Sequence, residues 1–420
     1  MPRAGQRKPP FDSRLTDHIS IGVLTRVFPP ELVDGVVAEA GRRERRQRLL
    51  PARVVVYYVL ALALFADSSY EEVMRQLVEG LSWESGWERV WEVPSKVAIY
   101  KARQRLGREP LELLFKAVAA PLAGESTRGA FYRSLRLVSL DGTCLDVADT
   151  DQNEKAFGRP GTGRGQGVGA FPQVRLVALA ESATHAIFDA ALGPCTSSEQ
   201  ALADRLWDSL SDGMLCLADR NFYSFERFGK AHASGAQLLW RVRSNLLLAR
   251  ERELADGSYL TRIYRSQKDR RAKRGGEPAR VIEYRLKDPV LSEEDQRFRL
   301  ITTMLDPDAA PAKELAALYP QRWELESALD ELKTHQRGPR VVLRSKAPDG
   351  VYQEAYGQLA THYAIRRVMH DAALEADLIP RRLSFIRSLR AARRSTRTQP
   401  GLSPPQHRHR ASSGDRGDPR

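Results

Sequence analysis

The spacing of apolar residues changes along this chain and predicts helices at both ends with strands between them. Residues 11–122 carry apolar side chains at helical intervals in short segments, several of which are opened by a proline or a serine. Residues 135–140, 174–180, 186–192 and 214–218 read as strands, and a helix is expected between the last two. This order predicts an α/β core that follows an all-helical region.

The remaining patterns divide the rest of the chain. Residues 241–310 alternate like strands around a polar, basic loop at 268–276, whereas the first ten residues and those beyond 395 lack apolar periodicity. The predicted organisation is a disordered basic arm at 1–10, a helical domain at 11–125, the first part of an α/β core at 130–240, a β-rich insertion at 241–310, the second part of the core with C-terminal helices at 311–394, and a disordered tail at 395–420.

Residues 319–338 are expected to form one helix, named the signature helix below. Pro320 suits the first helical position, where a missing N–H costs nothing, and it biases Tyr319 away from helical dihedrals. Gly338 suits the position that follows the last turn. Trp323 can stack on a displaced base, although packing of the helix is the favoured interpretation.

One face of the signature helix carries four polar side chains. Arg322 and Glu326 are one turn apart, Lys333 lies two turns beyond Glu326, and Tyr319 enters above the same face. On its own, this pattern favours a solvated amphipathic helix with an Arg–Glu pair. The other interpretation, in which these side chains act together, depends on acidic residues elsewhere in the chain.

Aspartates directly follow two of the predicted strands. Asp141 begins an Asp-Gly-Thr sequence after residues 135–140, and Asp219 follows residues 214–218. The carboxyl ends of core strands are where α/β folds place functional side chains. A turn-forming Asp-Gly pair is the alternative interpretation of Asp141.

Composition narrows the class of partner. The chain has 420 residues, enough for two or three domains, and 66 Lys and Arg against 53 Asp and Glu give a formal net charge of +13. This excess favours a polyanion, with nucleic acid as the first candidate. The 3 cysteines have no CxxC spacing, which indicates neither a zinc knuckle nor a disulfide scaffold. The most apolar run, residues 54–66, is too short to span a bilayer, so a soluble intracellular protein without membrane association is expected.

Glycine and basic residues mark further candidate DNA contacts. Residues 158–169 are rich in glycine but have neither a Walker A pattern nor a complete GxGxxG, so no nucleotide cofactor is expected. Arg159 and Arg164 in this stretch are predicted either to follow a DNA backbone or to belong to a hairpin tip. The basic clusters at 42–48 and 96–108 are either DNA-binding helices or solvated faces.

Four residue types at fixed spacing connect these features. Tyr319, two residues, Arg322, three residues, Glu326, six residues and Lys333 form a pattern that resembles the Y-R-E-K signature of DDE transposases of the insertion-sequence-4 family. The resemblance assigns Tyr319, Arg322 and Lys333 to binding of the DNA end. It implies a ribonuclease-H-like catalytic core with a β-rich insertion, preceded by an all-α DNA-binding domain.

The same resemblance implies a catalytic and metal-binding set of Asp141, Asp219 and Glu326. Two divalent cations can activate an oxygen nucleophile and stabilise the charge that develops during phosphodiester cleavage. Mg²⁺ prefers oxygen ligands, so three carboxylates suit a two-metal Mg²⁺ site, with Mn²⁺ as an expected substitute. The implied protein is a bacterial, nucleoid-associated transposase that cleaves at terminal repeats of double-stranded DNA and joins the 3′-hydroxyl ends to target DNA, as a homodimer in a synaptic complex.

Two other functions remain open at this stage. One is a nuclease of the ribonuclease-H fold that cleaves nucleic acid without strand transfer. The other is a catalytically inactive, transposase-derived DNA-binding protein or inhibitor. The three intact carboxylates argue against inactivity, whereas the unusual composition of the tail beyond 395 favours a degenerate chain.

Overall fold

The computed structural model describes residues 23–44, 50–82, 93–161, 169–285, 297–338 and 342–395. The arm predicted at 1–10, Arg164 and the tail beyond Ser395 lie outside these residues. The described helices are α1 (Val23–Val27), α2 (Pro30–Glu39), α3 (Ala52–Leu64), α4 (Tyr70–Ser82), α5 (Lys96–Leu106), α6 (Glu109–Val118), α7 (Asp151–Phe157), α8 (Glu199–Ala203), α9 (Phe225–Ala233), α10 (Gln267–Ala272), α11 (Ala312–Leu318), α12 (Trp323–Asp330), α13 (Pro348–Glu375) and α14 (Phe385–Ser395). The strands are β1 (Phe131–Tyr132), β2 (Leu135–Asp146), β3 (Gln173–Glu181), β4 (Ile187–Pro194), β5 (Met214–Ala218), β6 (Gln237–Arg241), β7 (Arg252–Glu253), β8 (Tyr259–Ile263), β9 (Glu277–Arg285) and β10 (Arg297–Thr302).

The described strands form one 10-stranded sheet in the order β4-β3-β2-β5-β6-β10-β9-β8-β7, with β1 beside β2. Strands β2, β3 and β4 are antiparallel neighbours, and β5 and β6 join β2 in parallel. This arrangement of an antiparallel meander followed by parallel strands is ribonuclease-H-like, which confirms the predicted fold class. The β-rich insertion is also present, but it extends the core sheet because β10 pairs antiparallel with β6.

Helices cover both faces of the core sheet. Successive side chains of a strand point to opposite faces, and Leu137 and Leu145 of β2 face α11, α12 and α13. Val138 and Leu140 face α8 and α9 instead. Asp141 is four residues from both Leu137 and Leu145, so its side chain points to the same face of the sheet, the face that α12 covers.

Helix α13 packs between the N-terminal helices and the core sheet. Buried residues of α3 and α13 belong to one hydrophobic cluster, and Thr361 donates a hydrogen bond to the Leu60 carbonyl at 3.2 Å. Gly357 permits this close approach, since a Cβ there would lie 2.9 Å from Val59 Cγ1. The N-terminal helices therefore share a core with the C-terminal part of the chain. None of the described helices combines the length and apolar character needed to cross a membrane.

Two local predictions need correction. The polar stretch at 268–276 is not only a loop, because α10 occupies its first half and the Ser266 side chain caps that helix by accepting from the Asp269 N–H at 3.1 Å. The strand predicted at 135–140 continues to Asp146, because every residue of β3 pairs with a residue of β2 between Val138 and Asp146. Asp141 is thus within a strand and does not follow its end.

Candidate active site

Asp141 and Asp219 come together through the register of the two central parallel strands. Leu140 of β2 and Ala218 of β5 are the last paired residues of that ladder. The residues that follow this pair are Asp141 on β2 and Asp219 directly after β5, so both carboxylates lie where the parallel ladder ends. This placement agrees with the position of functional groups in open α/β sheets.

The signature helix is unbroken from Tyr319 to Gln336, but its pitch is not uniform. Tyr319–Arg322 is a tight turn of 3-10 type, α12 follows, and Glu331–Gln336 is a wide turn of π type. The expected non-helical conformation of Tyr319 is wrong, because α11 runs directly into it and its φ and ψ are −53° and −37°. Gly338, with φ of +97°, has the left-handed conformation expected of a glycine after the last turn.

Arg322 connects the signature helix to the sheet. Its Nη1 donates to Asp141 Oδ2 at 2.8 Å, and its Nη2 donates to Glu326 Oε1 at 2.8 Å. The Arg322 side chain is only 10 % exposed, whereas the Glu326 side chain is 54 % exposed. Burial would lower the pKa of Arg322, but Tyr319 and the nearby carboxylates raise it, so the guanidinium stays charged.

Asp141 is a partly buried acid whose pKa is raised. Burial raises its pKa to about 6, against the lowering effects of the Gly142 N–H and of Arg322. Glu326 and Glu199 add to the increase through repulsion between like charges. Glu199, the first residue of α8, was not among the residues singled out from the sequence. Its carboxyl group approaches because Gly142 has no side chain, and a Cβ there would lie 3.2 Å from Glu199 Cδ.

The other two residues of the Y-R-E-K pattern have different surroundings. Lys333 Nζ donates to Thr143 Oγ1 at 3.0 Å, which places the ammonium two residues beyond Asp141 on β2. Tyr319 is 2 % exposed, and its hydroxyl donates to the Ala218 carbonyl at 3.2 Å. Burial raises the pKa of Tyr319, so its phenol stays protonated. Tyr319 therefore contacts the end of β5 and not the open face of the site.

Trp323 lies at the surface beside Glu326. The favoured interpretation, packing of the helix, is wrong because 45 % of Trp323 is exposed. It lines a groove of about 660 Å³ together with Glu326 and with Phe385 and Ile386 of α14. An exposed indole at a groove beside an acidic residue keeps base stacking as a possible role.

Arg159 is held by protein groups. Its Nη1 donates to the Ala170 carbonyl at 2.7 Å, and its Nη2 contacts Asp149 and also Glu154 at 3.1 Å. The structure therefore does not bring Arg159 into the group formed by Asp141, Arg322 and Glu326. Arg164 lies outside the described residues.

A ribonuclease-H-like sheet with one aspartate on a central strand, a second directly after the parallel neighbouring strand, and a glutamate on the helix that covers them, defines a class of proteins that process nucleic acid. Residues 18–116 match the insertion element 4 transposase N-terminal family, and residues 132–402 match the transposase DDE domain. The chain belongs to the DDE transposases of the insertion sequence 4 family, and its function is transposition.

Curated and solved proteins show the extent of this similarity. The transposase InsG for insertion sequence element IS4 of Escherichia coli (strain K12) is 30% identical over 378 residues, which span 89% of this chain and 83% of InsG. The putative transposase InsZ of the same strain is 26% identical over 213 residues, or 51% of this chain and 68% of InsZ. A solved piggyBac transposase synaptic complex with hairpin DNA has a similar chain, with a TM-score of 0.47, 11% identity and coverage of 91% and 82% of the two chains.

Transposases with a DDE domain generally use divalent metal ions. The carboxylate oxygens of Asp141, Asp219 and Glu326 are donors that suit Mg²⁺. No three His, Cys, Asp or Glu side chains among the described residues are close enough together to hold one ion. Arg322 lies between Asp141 and Glu326 and donates to both. The donor chemistry fits a divalent cation, but binding would require Arg322 and the exposed Glu326 side chain to change their contacts.

Proposed function

We propose that this chain binds the terminal repeats of its own insertion sequence, cleaves the DNA ends by metal-dependent phosphodiester hydrolysis and joins the 3′-hydroxyl ends to target DNA. The observation that carries the proposal is the pair of 2.8 Å contacts through which Arg322 joins Asp141 and Glu326, next to the end of β5 and Asp219. Joining two ends requires that both be held at once, which supports a homodimer on DNA. Such a protein would meet its substrate at the bacterial nucleoid.

The residues divide into metal-binding and phosphate-binding groups. Asp141, Asp219 and Glu326 would hold divalent cations, which when bound supply charge stabilisation and an activated oxygen nucleophile. Arg322 presents two outer nitrogens in a fork that matches two oxygens of a phosphate. Lys333 adds a positive charge from the Thr143 side of the site.

Tyr319 has a different role from the phosphate contact implied by resemblance. Its buried hydroxyl bonds the Ala218 carbonyl, and Ala218 directly precedes Asp219. The phenol thus fixes the end of β5 against the tight turn that begins the signature helix. We assign Tyr319 the task of positioning Asp219, with DNA contact left to Arg322 and Lys333.

The proposed function is tested with labelled duplexes that carry the terminal repeats of the element that encodes this chain. The full chain is incubated with them and a supercoiled target plasmid in Mg²⁺, in Mn²⁺ or in EDTA. With either metal, we expect cleavage at the repeat end and plasmid products joined to that end. With EDTA, we expect neither. Cleaved ends that never join would indicate a nuclease without strand transfer. Binding without cleavage in either metal would indicate the inactive DNA-binding protein.

Helix α5 supports recognition of the repeats, because one of its faces is exposed and contains no acidic residue. Val97 and Tyr100 are 61% and 49% exposed, and the basic and amide side chains of Lys101, Gln104 and Arg105 share that face. The helix has 11 residues and is therefore about 16 Å long. The major groove of B-DNA is about 12 Å wide and admits an α-helix. We infer that this face of α5 reads the repeat sequence.

The opposite side of α5 is anchored rigidly. Arg103 donates to Gln353 Oε1 and Ser345 Oγ, each at 2.9 Å, and Gln353 Nε2 donates to the Gly107 carbonyl at 2.7 Å. Ser95 caps the N-terminus of α5 by accepting from the Ala98 N–H at 3.3 Å. A reading helix fixed in this way loses little conformational entropy on binding DNA.

Gln104→Ala is expected to weaken binding to the terminal repeat by about 1–3 kcal/mol and to relax the base preference at one position, because a glutamine side chain can read an adenine edge. Lys101→Ala is expected to weaken binding equally on all sequences, because lysine contacts phosphate. Titrations on repeat and scrambled duplexes at several salt concentrations measure both effects. Lys116→Ala is the control, since Lys116 on α6 is exposed and pairs with Glu112 at 2.8 Å. Equal effects of Gln104→Ala on both duplexes would reject base reading.

A further inference from the structure

A group of charged side chains joins the signature helix to α13 and to the hairpin between β3 and β4. It consists of Glu324 and Glu331 of the signature helix, His362 and Arg366 of α13, and His185 of the hairpin. None of these residues was singled out by the Y-R-E-K pattern or takes part in the mechanism above. We name this group the Glu331 cluster.

Glu331 accepts several hydrogen bonds from α13. Arg366 Nε donates to Glu331 Oε2 at 2.9 Å, and Arg366 Nη2 donates to Oε1 of the same carboxylate. His362 Nε2 lies 3.2 Å from Glu331 Oε2 and donates to it when Nε2 carries the proton. Burial would raise the pKa of Glu331, but the hydrogen bond from His362 and the charge of Arg366 hold it well below the usual range.

His185 extends these contacts to the sheet. It has a left-handed φ of +56° in the hairpin and is 5% exposed. Its Nε2 lies 2.8 Å from Glu324 Oε2, and its Nδ1 lies 2.8 Å from Arg366 Nη2. A guanidinium can only donate, so Nδ1 is the acceptor and Nε2–H donates to Glu324. Three separate elements therefore meet at Glu331 and Glu324.

The Glu331 cluster lies where the pitch of the signature helix changes. Glu331 is the first residue of the wide turn Glu331–Gln336, and Lys333 in this turn reaches Thr143 at 3.0 Å. At the other end of the turn, Gln336 Nε2 donates to the Gln358 carbonyl of α13 at 3.1 Å. Wide turns of this kind are uncommon and are frequently found at functional sites. The turn is thus fixed at both ends by contacts with α13.

We propose that Glu331 is a positioning residue, whose contacts with Arg366 and His362 hold the wide turn so that Lys333 and Glu326 face the strand that carries Asp141. The inference rests on the proposed cleavage of DNA ends. Without the Glu331 carboxylate, Arg366 is left buried without its partner and the turn can relax toward ordinary helical pitch. A displacement of about 1 Å at reacting groups reduces rates by about 100-fold.

The test separates binding from cleavage in the full chain. Glu331→Gln is expected to bind the terminal repeat with a Kd within about threefold of wild type. Its single-turnover cleavage of saturated, prebound ends in Mg²⁺ is expected to be about 10- to 100-fold slower. The double variant Glu331→Gln/Arg366→Met removes both charges and is expected to regain thermal stability, while its cleavage stays slow because the turn is still not held.

Asp256→Asn is the matched control. The Arg280 and Asp256 side chains are 0% and 20% exposed, close to 1% and 13% for Arg366 and Glu331, but Arg280 lies on β9 and Asp256 in the turn between β7 and β8. Asp256 Oδ2 also accepts from the Ala312 N–H at 2.8 Å, a hydrogen bond that the carbonyl oxygen of asparagine can keep. This variant is expected to lose thermal stability and to cleave bound ends at the wild-type rate.

Three results would overturn the positioning role. These are wild-type cleavage by Glu331→Gln, recovery of both stability and rate in the double variant, and equal slowing by Asp256→Asn. If Glu331→Gln does not fold, the double variant decides alone. Absence of cleavage by the wild-type chain would instead reject the proposed function on which the inference depends.

Discussion

Glu326→Gln is expected to slow cleavage of the transposon end by about 10³-fold or more while leaving DNA binding within a factor of about three. Glutamine keeps the size of the side chain but replaces an anionic oxygen donor with a neutral amide, which binds Mg²⁺ poorly. The Glu326 side chain is 54 % exposed, so the change should have little effect on folding. Gel-shift titrations and single-turnover cleavage in Mg²⁺ measure the two quantities separately.

Asp330→Asn provides a control for the loss of a negative charge. Asp330 lies one turn beyond Glu326, is also exposed and lines the same groove. It accepts a hydrogen bond from Thr334 Oγ1 at 2.6 Å, which asparagine can also accept. We expect near wild-type cleavage from Asp330→Asn. Equal slowing by both variants would mean that the acidity of the groove, and not Glu326 itself, supports the reaction.

Local patterns predicted the elements of the site, but not how they meet. Apolar runs before Asp141 and Asp219 correctly predicted strands, and helical spacing correctly predicted that Arg322 and Glu326 would contact each other. The meeting of the two aspartates depends on the parallel register of β2 with β5, which no short-range periodicity contains. The contact between Arg322 and Asp141 spans 181 residues of sequence, so it too arises only from the tertiary fold.

The incorrect expectations have the same cause. The wide turn at Glu331 was missed because its partners, His362 and Arg366, are 31 and 35 residues away in sequence. Trp323 was expected to pack because it is large and aromatic, but the neighbouring α14 leaves a groove beside it. Local propensity contains no information on interactions with segments that are distant in sequence.

Arg159 illustrates the limit of composition as a guide. A glycine-rich, basic stretch suggested contact with phosphate, yet the guanidinium contacts Asp149 and Glu154, which precede it by ten and five residues. In contrast, Glu199 looked like an ordinary residue of a helix start but lies against Gly142 in the site. The contacts of both residues follow from the fold and not from local composition.

Arg322→Gln is expected to slow cleavage by about 100-fold and, at the same time, to increase the stabilisation of the protein by Mg²⁺. Among the described residues, the Arg322 guanidinium is the positively charged group whose nitrogens lie within 4.0 Å of carboxylate oxygens of both Asp141 and Glu326. Its removal leaves these carboxylates uncompensated and should cost roughly 1–3 kcal/mol of unfolding free energy without metal. A divalent cation no longer competes with the guanidinium, so its affinity for the carboxylates rises. Thermal unfolding in EDTA and in increasing Mg²⁺ measures both effects.

The double variant Arg322→Gln/Glu326→Gln tests whether the Mg²⁺ that stabilises Arg322→Gln binds at Glu326. Removal of Glu326 as a donor should abolish the added stabilisation by Mg²⁺ if the ion binds between these side chains. Arg227→Gln is the control for loss of an arginine, since Arg227 Nε donates to Asp204 Oδ1 at 3.1 Å in another ion pair of the core. It should lower stability without any added response to Mg²⁺. A response of Arg322→Gln no greater than that of wild type would show that Arg322 does not occupy the place of a metal ion, and its role would then be limited to the phosphate.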